Sequence, residues 1–198
     1  MKEEKMIFVI DMVNGFVKGG SLADPGILKI VPTIKEIIDN NESILVEVKE
    51  SHDMNSLEFK NFPPHCIKGT CEAETCDELK ETLKDSYKFY KNSTSALFSK
   101  GLFEFIYNNQ PKEIIITGCC TDICIMNFAI PLKNLFNELG IDTDIIIYKE
   151  AVDTYNSPTH NRDEYNEMAF KLMNQNGIIV KSYEKEKNNN YQLTKTKK

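Results

Sequence analysis

Six short apolar runs, at 6–10, 43–48, 87–90, 113–117, 144–148 and 178–182, alternate along the chain with helical patterns. The helix-like stretches are 27–39, 73–83, 102–108, 122–139 and 163–175. Strands that alternate with helices make βαβ units, and these assemble into a parallel sheet covered by helices on both faces. The expected class is therefore α/β, a three-layer doubly wound fold with a roughly six-stranded parallel sheet. Such sheets bind ligands beyond the carboxyl ends of their strands. Residues just past a strand end therefore carry the most functional information.

The run EIIIT at 113–117 is short, apolar and β-branched, as a buried parallel strand is. It leads into Gly118-Cys119-Cys120-Thr121-Asp122-Ile123-Cys124 and then a helical pattern. Thr121 or Asp122 is expected to cap that helix, which places Cys124 in its first turn. Free N–H groups and the helix dipole there favour a thiolate. The other reading of Cys124 is a small buried hydrophobe. Asp11 follows the first strand and is either a turn residue or a site group. Lys91 follows the third strand and is either a solvated lysine or a site group. An acid, a lysine and a thiol past three strand ends of one sheet could share one cleft. Pro131 falls inside the helix after Cys124 and is expected to kink or break it.

The second strand is followed by KESHDMNSLEFKNFPPHCIKGT. Glu50, His52, Glu58 and His65 in this stretch could hold a divalent metal, and that donor set suits zinc, manganese or iron better than calcium. They match no short metal motif, so a polar loop with incidental histidines is the competing reading. His160, near an expected helix start, reads as a capping or surface group.

The 198 residues suit one domain over 1–183 and a Lys- and Asn-rich polar tail over 184–198. A net charge of −6 argues against nucleic-acid or anionic-membrane binding. No apolar run approaches the roughly 18 residues of a membrane span. Only about five apolar residues stand together before Asp11, too few for a signal peptide. Six unevenly spaced cysteines form neither a zinc pattern nor a disulfide framework. The expectation is reduced thiols in a cytoplasmic protein.

Taken together, FVIDMVNGF, the Lys91, Ser95, Ala96 element, GCCTDIC and FPPHCIKGTCEAE resemble the isochorismatase-like family of cysteine hydrolases, and most of all its nicotinamidase branch. The likeness covers roughly residues 6 to 182. It implies a Rossmann-like hydrolase fold with Cys124 as nucleophile, Asp11 as acid/base and Lys91 as third member of a triad. It further implies a metal on Glu50, His52, Glu58 and His65, zinc before manganese or iron. Phe16 and Phe62 would sandwich a pyridine ring, and a cis peptide would join Cys119 to Cys120 beside an oxyanion site. The implied reaction is hydrolysis of nicotinamide to nicotinate and ammonia through a thioester, feeding NAD salvage. Its partners would be a small-molecule substrate and, in an oligomer, further copies of the chain. Glu50, Phe62, Leu97, Cys119 and Cys120 depart from the usual family residues. Two alternatives follow from that: another small amide, carbamoyl or ureido substrate, or a non-catalytic binding protein on the same fold.

Overall fold

The computed structural model describes residues 4–184, 186 and 187. Six parallel strands form one sheet: β1 (Lys5–Ile10), β2 (Ile44–Glu50), β3 (Tyr87–Lys91), β4 (Glu113–Cys119), β5 (Asp144–Asp153) and β6 (Ile179–Lys181). Their order is β3-β2-β1-β4-β5-β6. The chain builds outward from β1 to β3, then returns to pair β4 with the other side of β1. The order reverses between β1 and β4, and a doubly wound sheet opens its ligand crevice at such a reversal.

The four main helices are α1 (Val31–Asp39), α2 (Leu102–Asn109), α3 (Met126–Leu139) and α4 (Arg162–Gln175). Alternation along β1 assigns them to layers. Met6, Phe8 and Ile10 pack with α2, α3 and α4, whereas Ile7 and Val9 pack with α1. All five of these β1 side chains are buried, and each contributes about 1.5–3 kcal/mol of apolar burial. Among the described residues no helix is long and apolar enough to cross a membrane.

The expected elements are present, with differences that have physical causes. The first helical stretch opens as a 3-10 turn, Pro25–Ile30, before α1. The stretch at 73–83 holds only two short turns, Cys71–Ala73 and Asp77–Lys80, whose Ala73 and Leu79 fill the α1 face. β5 runs to Asp153 because its pairing with β4 shifts register between Ile116 and Gly118. α3 passes through Pro131 unbroken. The proline cannot donate to the carbonyl of Asn127, and Ser95 Oγ takes that acceptor at 2.7 Å. The polar tail expected from residue 184 lies outside the described residues apart from Glu184, Glu186 and Lys187.

Candidate active site

The strand ends bring the expected residues together. Glu50 and Lys91 are register partners at the ends of β2 and β3, so their side chains emerge side by side. Asp11 leaves β1 with φ of 53° and is fully buried. That conformation is uncommon for a residue with a Cβ and clusters at functional sites. Lys91 Nζ lies 2.8 Å from Asp11 Oδ2, 2.9 Å from Glu50 Oε1 and 3.6 Å from Cys124 Sγ. Carboxylate oxygens of Asp11 and Glu50 and the sulfur of Cys124 all fall within 4.8 Å of one another.

Gly118 makes this convergence possible. Its φ is 110°, and a Cβ there would collide with the carbonyl oxygen of Ile10. Any side chain would push β4 away from β1. Beyond it the Cys119–Cys120 peptide is cis, as the resemblance implied. Neither Thr121 nor Asp122 caps the next helix, contrary to expectation. The N-cap is Cys120, without a side-chain bond, and the first turn, Thr121–Ile125, is π-helical. Asp122 instead accepts from His160 Nε2 at 2.9 Å. His160 is therefore a buried partner and neither a cap nor a surface group, stacked between Tyr155 and Tyr165.

Electrostatics corrects the expectation of a resting thiolate. Burial pushes the Cys124 thiol well up, against the pull of Lys91, and the Asp11 and Glu50 charges add to the rise. Burial also raises Asp11 to about 6, again opposed by Lys91. Burial alone would discharge Lys91, yet the charges of Asp11, Cys124 and Glu50 hold it well above its usual value. At neutral pH the site rests as thiol, carboxylate and ammonium.

A second cluster adjoins the first through Glu50. A short bridge between His52 and Ile67 closes the base of the loop between them and returns His65 to His52. Glu58 stands on the 3-10 turn Leu57–Lys60. The two Nε2 atoms are 3.2 Å apart. His52 Nε2 is also 3.2 Å from Glu50 Oε1 and from Glu58 Oε2, and His65 Nε2 is 3.5 Å from Glu50 Oε2. The opposite ring nitrogens are engaged: His52 Nδ1 donates to Asn92 Oδ1 and His65 Nδ1 to the Pro63 carbonyl, both at 2.8 Å. With those protons placed, neutral rings turn two lone pairs toward each other and toward two carboxylates. Glu58 Oε2 is buried without a hydrogen bond. Burial and the Glu50 charge push the Glu58 carboxyl up. Two imidazole nitrogens and two carboxylates that converge here, on imidazoles oriented by outer partners, fit a divalent cation.

Both clusters open into one cavity of about 640 Å³. Glu50, Glu58, His65, Cys120 and Cys124 line it, with Phe16 and Phe62. Both phenylalanines face His65, at ring distances of 5.6 and 6.3 Å. Sequence reasoning missed Phe59 against both histidines, Asn92, and the Tyr155, Asn156 and Arg162 wall. Only Asn92 carried a signal, standing directly after Lys91. All six cysteines are free.

A family model described as Isochorismatase domain matches residues 5–185. The chain belongs to the isochorismatase family. Nicotinamidase 1 of Arabidopsis thaliana is 27% identical over 175 residues, spanning 78% of this chain and 71% of the relative. The crystal structure of a Bacillus subtilis nicotinamidase superposes with a TM-score of 0.73 at 28% identity, covering 89% of this chain and 98% of that one. A Pyrococcus horikoshii pyrazinamidase in complex with zinc shares the fold at 24% identity and a TM-score of 0.72, covering 91% and 99%.

Proposed function

We propose that this isochorismatase-family amidohydrolase cleaves the carboxamide of nicotinamide to nicotinate and ammonia. The observation that carries the reading is the single cavity beside a buried thiol–carboxylate–ammonium cluster and a convergent histidine–glutamate cluster, with two phenylalanines on its wall. Nicotinamidases among the similar proteins support it.

Asp11, a carboxylate at neutral pH, takes the Cys124 proton. The negative charge then passes from Asp11 oxygen to Cys124 sulfur while Lys91 stays within reach of both. The thiolate attacks the carboxamide carbon, and the tetrahedral oxyanion is held by the backbone N–H groups of Cys120 and Cys124. Asp11 hands its proton to the departing nitrogen, ammonia leaves, and a thioester remains. Asp11 then takes a proton from water as the water attacks the thioester. Nicotinate departs and the thiol is restored.

Glu50, His52, Glu58 and His65 would hold the divalent cation, with zinc the best match to two imidazoles and two carboxylates. When bound, it supplies a Lewis acid for the pyridine nitrogen and so orients the ring. Phe16 and Phe62 offer apolar faces to that ring.

Ammonia release from nicotinamide by the purified, zinc-loaded protein tests the reading. Cys124→Ala should lower turnover by a factor of at least about a thousand while the protein stays folded. Steady-state release by the folded Cys124→Ala protein, or none by the parent, would reject it.

A further inference from the structure

The cavity extends well past the space a single-ring carboxamide needs. In the strand order the histidine–glutamate cluster lies over β2 and β3, the thiol over β4, and the segment after β5 closes the far end. Asp24 and residues 155–157 line that far end, while the loop carrying Asp24 reaches back to the histidine side, where Ser21 Oγ donates to the Pro64 carbonyl at 2.8 Å. An ion pair joins the two stretches: Arg162 Nη2 lies 2.6 Å from Asp24 Oδ2. The same Asp24 oxygen accepts the N–H of Asn156 at 2.9 Å, and Oδ1 accepts that of Gly26 at 2.8 Å. Arg162 Nε donates to the Thr154 carbonyl at 2.8 Å and lies 3.4 Å from Asp153. Asp153 is itself engaged by Lys29 at 3.0 Å and by Asn166 at 2.8 Å.

Arg162 is the one lysine or arginine among the described residues lining the cavity. Its charge is met by a carboxylate at hydrogen-bond distance. The far half therefore offers polar groups but no free cation to receive an anion. We propose that Asp24 determines specificity: by neutralising Arg162 it makes the far half a subsite for an uncharged polar group and excludes carboxylates. The ligand class is a pyridine-3-carboxamide whose amide nitrogen carries a neutral polar substituent, because the far half lies across the thiol from the histidines. The inference rests on the amidase reading above.

Two ligands of matched size isolate the charge: nicotinoylglycinamide, which is neutral, and nicotinoylglycine, which carries a carboxylate. Each is titrated calorimetrically into zinc-loaded Cys124→Ala protein, with nicotinamide as control. The neutral ligand should bind at least about tenfold tighter, the range of a charge-assisted hydrogen bond gained or lost. Asp24→Asn on that background keeps an acceptor for the backbone and frees the guanidinium. It should shift the preference toward the anion by about tenfold. Arg162→Gln breaks the same ion pair from the other side and should leave the anion as disfavoured as before, or more so. Equal shifts in both variants would mean that the pair only closes the cavity, which overturns the charge argument. Nicotinamide binding without binding of the neutral derivative, or without any charge preference, would overturn the inference and leave the amidase reading standing. Failure of nicotinamide itself to bind would reject both.

Discussion

Around Cys124 the site contains its own counter-charge, whereas around His52 and His65 it does not. Lys91 is within 2.9 Å of two carboxylates and 3.6 Å of the thiol, so charge can move between oxygen and sulfur beside a fixed ammonium. On the other side of Glu50, the two ring nitrogens lie 3.2 Å apart and each within 3.5 Å of a Glu50 oxygen, with Glu58 3.2 Å from His52. Glu50 belongs to both: its Oε1 lies 2.9 Å from Lys91 and 3.2 Å from His52. Lys91 holds it well below the usual carboxylate range against the desolvation of burial. One region is complete in its own side chains, and the other is complete only with a cation from outside. The first is built for chemistry, the second for positioning.

The comparison breaks most sharply at Lys91. Lys91→Met leaves Asp11 and Glu50 buried without their ammonium, and removing one partner of a buried pair costs about 3–5 kcal/mol. Chemical denaturation should show that loss together with loss of turnover. Unchanged stability would mean that the cation already comes from elsewhere. Asn92→Ala should act on the other region alone. With the His52 ring no longer oriented, divalent-metal affinity should fall by about 10–100-fold, read by competition with a chelator, while the Cys124 cluster keeps its geometry. The smallest effect is on pH. Asp11 must be a carboxylate to accept the thiol proton, and its burial raises it to about 6. Turnover per unit substrate at low concentration should therefore decline as pH drops through about 6 and be flat just above it. A profile unchanged down to pH 4 would remove Asp11 as the base.

How much of this was legible in the sequence depended on how local each cause is. β-branched runs between helical patterns announced the sheet, and Asp11, Lys91 and Cys124 stood out because each lies at or shortly past a strand end. The metal donors were visible as residue types, but the His52–Ile67 bridge that brings His65 back to His52 leaves no spacing motif. Gly118 could be read as a turn glycine, whereas its real constraint is the Ile10 carbonyl on another strand. Pro131 was expected to disturb α3 because its compensation, Ser95, lies 32 residues from the carbonyl it satisfies. The Asp24–Arg162 pair is 138 residues apart in the chain, and nothing local marks either residue. Polar partners chosen across the fold are hidden from periodicity, and they built the far wall of the cavity.

The most direct measurement takes metal content and ammonia release together on the wild type, Cys124→Ala and His65→Ala, each purified alike and shown to be folded. The wild type should carry a divalent ion in stoichiometric amount and release ammonia from nicotinamide. Cys124→Ala should keep the ion and lose turnover, and His65→Ala should lose the ion. A Cys124→Ala protein without metal, or a His65→Ala protein with wild-type metal, would contradict the division between a self-contained chemical region and a cation-requiring one.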